Sequence, residues 1–167
     1  MKLSKIFLII SFVIAAFLFV VSTTINAQEK KISEKELPAA VKTAFYKKYP
    51  KAEIKGLSTE TENGKIYFEI ESMDGKVRRD LLFTQKGKIV EIEETISSTN
   101  LPKGSLQAIE KKFHGAKVER VEKVTSSSKV TYELSVTGKE ANYEVILNKS
   151  GKIIKSKKAN SEEGDKD

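Results

Sequence analysis

The 167-residue chain is 39% apolar and 32% charged, with no Cys, no Trp and one His. Disulfide frameworks, cysteine nucleophiles, thiolate zinc sites and multi-histidine metal sites are thereby excluded for want of ligands. The formal charge of +7 is not a basic block: Lys2 and Lys5 sit in a leader, and the rest holds 14 basic against 13 acidic residues from Gln28 to Asn100 and 14 against 10 from Leu101 onward, which argues against nucleic acid as a partner.

Residues 1–27 read as a secretory signal, with Lys2 and Lys5 ahead of an apolar run from Ile6 to Val21 broken only by Ser11, and a polar stretch before Ala27. At 16 residues the run is short of the about 20 that a spanning helix needs, so cleavage after Ala27 is expected over retention as an anchor. No cysteine is present for lipid attachment. The exported chain is then periplasmic or secreted and free of the membrane. Residues 28–36 read as a flexible lead-in.

An internal repeat organises the remainder of the chain. Leu37 to Glu91 matches Leu101 to Lys155 at an offset of 64 residues without a gap. Leu37-Pro38 falls on Leu101-Pro102, Lys47-Lys48-Tyr49-Pro50-Lys51-Ala52 on Lys111-Lys112-Phe113-His114-Gly115-Ala116, and Lys65-Ile66-Tyr67-Phe68-Glu69-Ile70 on Lys129-Val130-Thr131-Tyr132-Glu133-Leu134. Gly87-Lys88-Ile89 likewise falls on Gly151-Lys152-Ile153.

Each unit opens with a helix. Leu37, Val41, Ala44, Phe45 and Tyr49 recur at spacings of three and four and share a face. Pro38 and Pro102 suit the first helical position, Pro50 cannot continue the first helix, and Gly115 can cap the second in the left-handed conformation. Four strand-like runs come next. Gly56 marks a bulge in the first, Asn63-Gly64 is a type I′ hairpin signal, and Asp74-Gly75 and Lys86-Gly87 are further turns. In the second unit the turns fall at Ser126-Ser127-Ser128, Thr137-Gly138 and Ser150-Gly151. Such short turns join antiparallel neighbours, and each helix stripe needs the apolar face of its sheet.

The fold class is therefore α+β, a tandem repeat of a helix plus a four-stranded antiparallel meander. The first unit spans 37–98 and the second 99–156. The polar run 157–167 reads as a disordered tail.

These motifs, duplicated in order over Leu37 to Lys155, resemble the PepSY-like family, described as similar to β-lactamase inhibitor protein. The resemblance implies a BLIP-like arrangement in which the two sheets can join as one continuous eight-stranded sheet with the helices on one face. It also implies binding or inhibition of an extracytoplasmic protein such as a peptidase. PepSY strands often carry Asp shortly before the final Gly, whereas Thr84 and Asn148 stand here, which weakens the transfer of peptidase inhibition.

Catalytic constellations do not assemble: His114 lies in a turn, and there is no HExxH, GxSxG or phosphate-binding Gly loop. With Ile66, Phe68 and Ile70 facing inward, Tyr67 and Glu69 face outward. By the same alternation Arg78, Asp80 and Leu82 face outward, and so do Glu133, Glu144 and Ile146. A non-enzymatic exported binding module results, without a cofactor. Tyr67, Leu82 and Ile146 are its apolar anchors, and Glu69, Arg78, Asp80, Glu133 and Glu144 its polar rim. Its partner is an extracytoplasmic protein whose identity, like the oligomeric state, the residues leave open. The alternative is a metal-ion or small-ligand binding protein using outward carboxylates such as Glu69, Glu71 and Glu133. A hydrolase built on the same carboxylates is the weakest alternative.

Overall fold

The computed structural model describes residues 29–127 and 129–159. The leader, and the tail from Asn160 onward, lie outside them. One antiparallel sheet contains every strand in chain order: β1 (Lys30–Lys31), β2 (Glu53–Glu62), β3 (Lys65–Asp74), β4 (Val77–Thr84), β5 (Ile89–Thr95), β6 (Lys117–Ser126), β7 (Lys129–Thr137), β8 (Asn142–Asn148) and β9 (Ile153–Lys158). Helices α1 (Ala39–Lys48) and α2 (Ser105–Lys112) precede β2 and β6. The two meanders are continuous through a β5–β6 ladder that runs from Glu91↔Ser126 to Thr95↔Glu122. The sheet is open, with β1 and β9 at its edges.

The repeat is kept down to its irregularities. A bulge at Ile54/Gly56 recurs at Val118/Arg120, and one at Leu82/Phe83 recurs at Ile146/Leu147. The hairpin turn at Asn63 and Gly64 has φ of 49° and 73°, and Ser127 repeats it with φ 53°. Thr84 Oγ1 accepts the Lys88 N–H, while Asn148 Oδ1 accepts the N–H groups of Ser150 and Lys152. A side-chain acceptor thus closes the final turn of each unit without the Asp common in PepSY strands.

The lead-in is not free chain. Lys30↔Thr59 and Lys31↔Ser58 pair as Glu94↔Lys123 and Thr95↔Glu122 do, and Ile32 N–H donates to Leu57 O at 3.0 Å as Ile96 N–H donates to Val121 O at 3.0 Å. Residues 30–32 therefore occupy on β2 the place that the end of β5 occupies on β6. A closed turn comes next, in which the Ser33 N–H and hydroxyl both donate to the Glu36 carboxylate at 2.8 Å. At the other end β9 runs to Lys158, past the boundary expected after residue 156, because Lys157 and Lys158 still find partners on β8 at Glu144 and Tyr143.

Both helices lie on one face and cover separate cores. Leu37, Val41 and Phe45 pack on Ile70, Leu81 and Phe83; Ile109 packs on Val121, Leu134, Val136, Val145 and Leu147. Pro38 stands one place before the expected position, at the N-cap of α1, and α1 stops where the Tyr49 N–H returns to Phe45 O ahead of Pro50. The second helix departs further from expectation. Gly104, with φ 85°, is its N-cap, so α2 begins three residues beyond Pro102. Its last bond closes at Phe113, and Gly115, with φ 69°, lies two residues past that cap, where its N–H donates to Glu110 Oε1. Ile66, expected inward, is 58% exposed because it sits beside the hairpin, past the reach of α1.

The final-turn glycines meet the helix starts. A side chain at Gly87 would collide with Ala40 O at 2.5 Å, and one at Gly151 with Ser105 Oγ at 2.4 Å. Ser105 occupies the place of Val41, is fully buried, and leaves its Oγ without a hydrogen bond. An unmet buried hydroxyl costs about 1–3 kcal/mol. Ser105→Ala should therefore stabilise the protein by about 1 kcal/mol, seen as a higher midpoint in thermal and urea unfolding, whereas Gly151→Ala should lower it.

Candidate functional site

The sheet face away from the helices carries the outward side chains of both units, and cross-strand register sets them in rows. One row runs Ser58, Glu69, Leu82, Glu91, Ser126; a second runs Glu71, Asp80, Glu93, Val124, Thr131; a third contains Glu122, Glu133, Ile146 and Lys155. Glu71, Asp80 and Glu93 are thus direct neighbours across three strands, and Glu122 and Glu133 across two. Directly opposed like charges destabilise a sheet, so this stripe is held at a cost.

Among the described residues, cations answer part of it. Arg78 reaches Asp80 at 2.9 Å and Glu71 at 3.3 Å, Arg120 reaches Glu122 at 3.5 Å, and Lys157 reaches Glu144 at 2.9 Å. Ser58 Oγ donates to Glu69 at 2.6 Å. Asp80 Oδ1 is buried with no hydrogen bond.

Partial burial and crowding shift these groups upward. Burial, then the charges of Glu122, Glu133, Glu91 and Asp80, push the Glu93 carboxyl up to about 9. Burial raises Glu60, Asp80, Glu91 and Glu133 to about 7, opposed by Arg78 at Asp80 and by the Ser126 hydrogen bond at Glu91. Glu69 is raised too, by burial, against the Ser58 hydrogen bond.

All eight sequence-selected residues lie on this face, in two groups. Tyr67, Glu69, Asp80 and Leu82 line a concavity of about 270 Å³ together with Glu60, Glu62, Val90, Glu91 and Glu93 and with Ser126 and Ser127 of the second unit. Glu133, Glu144 and Ile146 line a shallow dimple on the second unit, beside Arg120, Glu122 and Lys155. Arg78 stands beside Asp80. Leu82 on β4 and Ile146 on β8 are four strands apart, about 19 Å across the sheet, and their rows meet β5 at different places, Glu91 and Thr95, so they form two separate apolar spots flanking the acidic stripe. The carboxylates that sequence reasoning missed are Glu60, Glu62 and Glu122, whereas Glu91 and Glu93 belong to a carboxylate cluster, Glu91, Glu93 and Glu94, that is visible in the sequence. Glu91 and Glu93 stood at alternate positions of one strand, but their neighbours depend on the β5–β6 register. His114 is exposed in its turn.

Among the described residues no three acidic or imidazole groups converge as a metal ion requires; the carboxylates stand side by side along the ladder. None of the helices described is long and apolar enough to cross a membrane.

The family described as "Putative beta-lactamase-inhibitor-like, PepSY-like" matches residues 23–91 and again 66–155. The chain belongs to this PepSY-like family. Its fold is shared with solved structures: a DUF2874 family protein from Bacteroides uniformis (18% identity, TM-score 0.59, covering 72% of this chain and 88% of that one); a protein from Bacteroides eggerthii described as a "putative periplasmic" protein (17%, 0.60, 72% and 88%); and a BLIP-like protein from Bacteroides fragilis (17%, 0.56, 74% and 88%). At these identities the likeness concerns the fold. No curated protein matches.

The titration of this PepSY-like chain follows from the raised carboxyls. The folded state keeps protons that the unfolded chain has lost above about pH 4.5, so stability is highest on the acid side and falls as pH rises through about 7 and on to about 9. Thermal unfolding should show a higher midpoint at pH 5.5 than at pH 8. Glu93→Gln should flatten that fall and stabilise the protein at pH 7 by on the order of 2 kcal/mol; a midpoint that climbs from pH 5.5 to 8 would contradict the assignment.

Proposed function

We propose that this protein is an exported, non-enzymatic binding module whose helix-free face docks a partner protein of the cell envelope through basic side chains. The observation that carries the reading is the like-charge ladder of Glu71, Asp80 and Glu93, continued by Glu122 and Glu133. A cationic partner would relieve its repulsion and draw protons off the raised carboxyls. Tyr67, Leu82 and Ile146 are the apolar anchors, and Glu69, Arg78, Asp80, Glu133 and Glu144 the polar rim. Export is supported by the leader at residues 1–27 and by the periplasmic description of the B. eggerthii neighbour. Inhibition of an extracytoplasmic enzyme such as a peptidase is a narrower form of this reading, supported by family likeness alone.

Affinity capture from an envelope extract tests it, with Glu91→Lys/Glu133→Lys and Leu82→Asp/Ile146→Asp variants checked for unchanged unfolding midpoints. The charge-reversed pair should lose capture at least tenfold, wild-type capture should fall as salt rises, and the Asp pair should fail through its anchors. Capture that none of these alters refutes the site. Calorimetric titration with calcium, magnesium and zinc should give no specific heat; a saturable signal would favour the metal-binding alternative.

A further inference from the structure

The repeat makes β9 the counterpart of β5, and β2 the counterpart of β6. Within the chain β5 is covered by β6, whereas no strand of the described residues covers β9. The Ala159 N–H donates to Asn142 O on β8 at 2.8 Å. Backbone groups alternate along a strand, so those of Ser156 and Lys158 point away from β8 into the open edge. The opposite edge is only partly closed: among the described residues β1 pairs with Ser58 and Thr59, Glu29 lies close enough to act on Glu60, and no strand pairs with β2 from Glu60 to Glu62.

We propose that copies of this chain associate head to tail, with β9 of one copy laid antiparallel on β2 of the next in the register that joins β5 to β6. Displacing that register by the 64-residue repeat sets Lys155 opposite Glu62, Ser156 opposite Thr61 and Lys157 opposite Glu60. The side chains facing each other are of opposite charge and lie on the helix-free face. The symmetric pairings do not share this match, since β9 against β9 confronts Lys with Lys and β2 against β2 confronts Glu with Glu.

The junction inside the chain shows what such a contact accomplishes. There Ser126 and Ser127 close the concavity whose lining includes Val90. Ile154, the counterpart of Val90, is 44% exposed; Glu62 and Asn63 of the next copy would cover it. Extension past Lys157 meets β1, because Lys158 would fall opposite Thr59, where Lys30 already pairs. The contact therefore spans three residues per strand once Glu29, whose charge reaches Glu60, moves aside, and more if β1 peels away; it is heterologous, so it builds open rows rather than closed dimers.

The absence of cysteine makes the register directly testable. In the exported form from Gln28 onward, Lys155→Cys and Glu62→Cys variants are mixed and oxidised, with Lys152→Cys replacing Lys155→Cys as the off-register control. Opposed residues of this pair type have Cα atoms about 4.5 Å apart, within disulfide reach. The same two positions in one chain are about 34 Å apart across the sheet. The 62–155 cross-link should form at least fivefold above both the control and the 155–155 product. Sedimentation should show concentration-dependent association that Lys155→Glu/Lys157→Glu abolishes, and that mixing this variant with Glu60→Lys/Glu62→Lys restores. A wild-type chain that stays monomeric at millimolar concentration, or cross-links that ignore register, would overturn the proposal.

Discussion

The ladder between β5 and β6 is the interaction on which the rest of the structure depends. Five residue pairs, Glu91↔Ser126 to Thr95↔Glu122, turn two four-stranded meanders into one sheet. Without it each unit would be a small sheet with one helix, and its edge strands would be open to other chains. The ladder also settles that both helices lie on the same side of the sheet, because a one-residue slip would turn the helix-covered face of the second unit to the opposite side. Within the first unit Arg79 ties β4 to β5 from the helix side: its guanidinium lies 4.7 Å from the Tyr49 ring centroid and is paired with Glu94 of β5.

Joining the units completes the acidic stripe. Glu71, Asp80 and Glu93 would be neighbours in an isolated first unit, and Glu122 and Glu133 in an isolated second one. The β5–β6 pairing sets Glu93 beside the second of these groups, where it feels Glu122 and Glu133 as well as Asp80 and Glu91. A surface held for stability alone would gain by spacing these charges out or by setting lysines opposite them, as β9 does with Lys157 opposite Glu144. On the function proposed above, the stripe is a surface whose favourable state includes a cationic partner.

The elements visible in the sequence were those dictated by neighbours in the chain. Asn63-Gly64 needs positive φ at both residues, and the stripe of Val41 and Phe45 needs only helical geometry, so both could be read locally. The start of α2 could not: Leu101-Pro102 repeats Leu37-Pro38, but Gly104 stands where the first unit has Ala40, and its left-handed conformation delays the helix to Ser105. The pairing of residues 30–32 with β2 was hidden because two lysines and one isoleucine make no strand pattern, and only the place of β5 on β6 reveals their role. The same holds for the site. Alternation put Glu69, Asp80, Glu133 and their companions on one face, yet the concentration of charge around Glu93 depends on long-range register.

The two units do not contribute equally to the fold. Where the first core has Val41 and Phe45, the second has Ser105 and Ile109, so its helix buries less apolar area and leaves one hydroxyl unmet. At about 25 cal/mol per Å² of apolar surface, exchanging Val41 for Ser105 and the Phe45 ring for the smaller Ile109 is worth about 2 kcal/mol, a sizeable part of the stability of a domain this small. The second unit therefore leans on the β5–β6 ladder, as a repeat of lower intrinsic stability leans on its neighbour in a tandem array. The same dependence explains why the shared sheet tolerates crowded carboxylates at its centre: the ladder that brings Glu93 beside Glu122 is also the contact the second unit cannot do without.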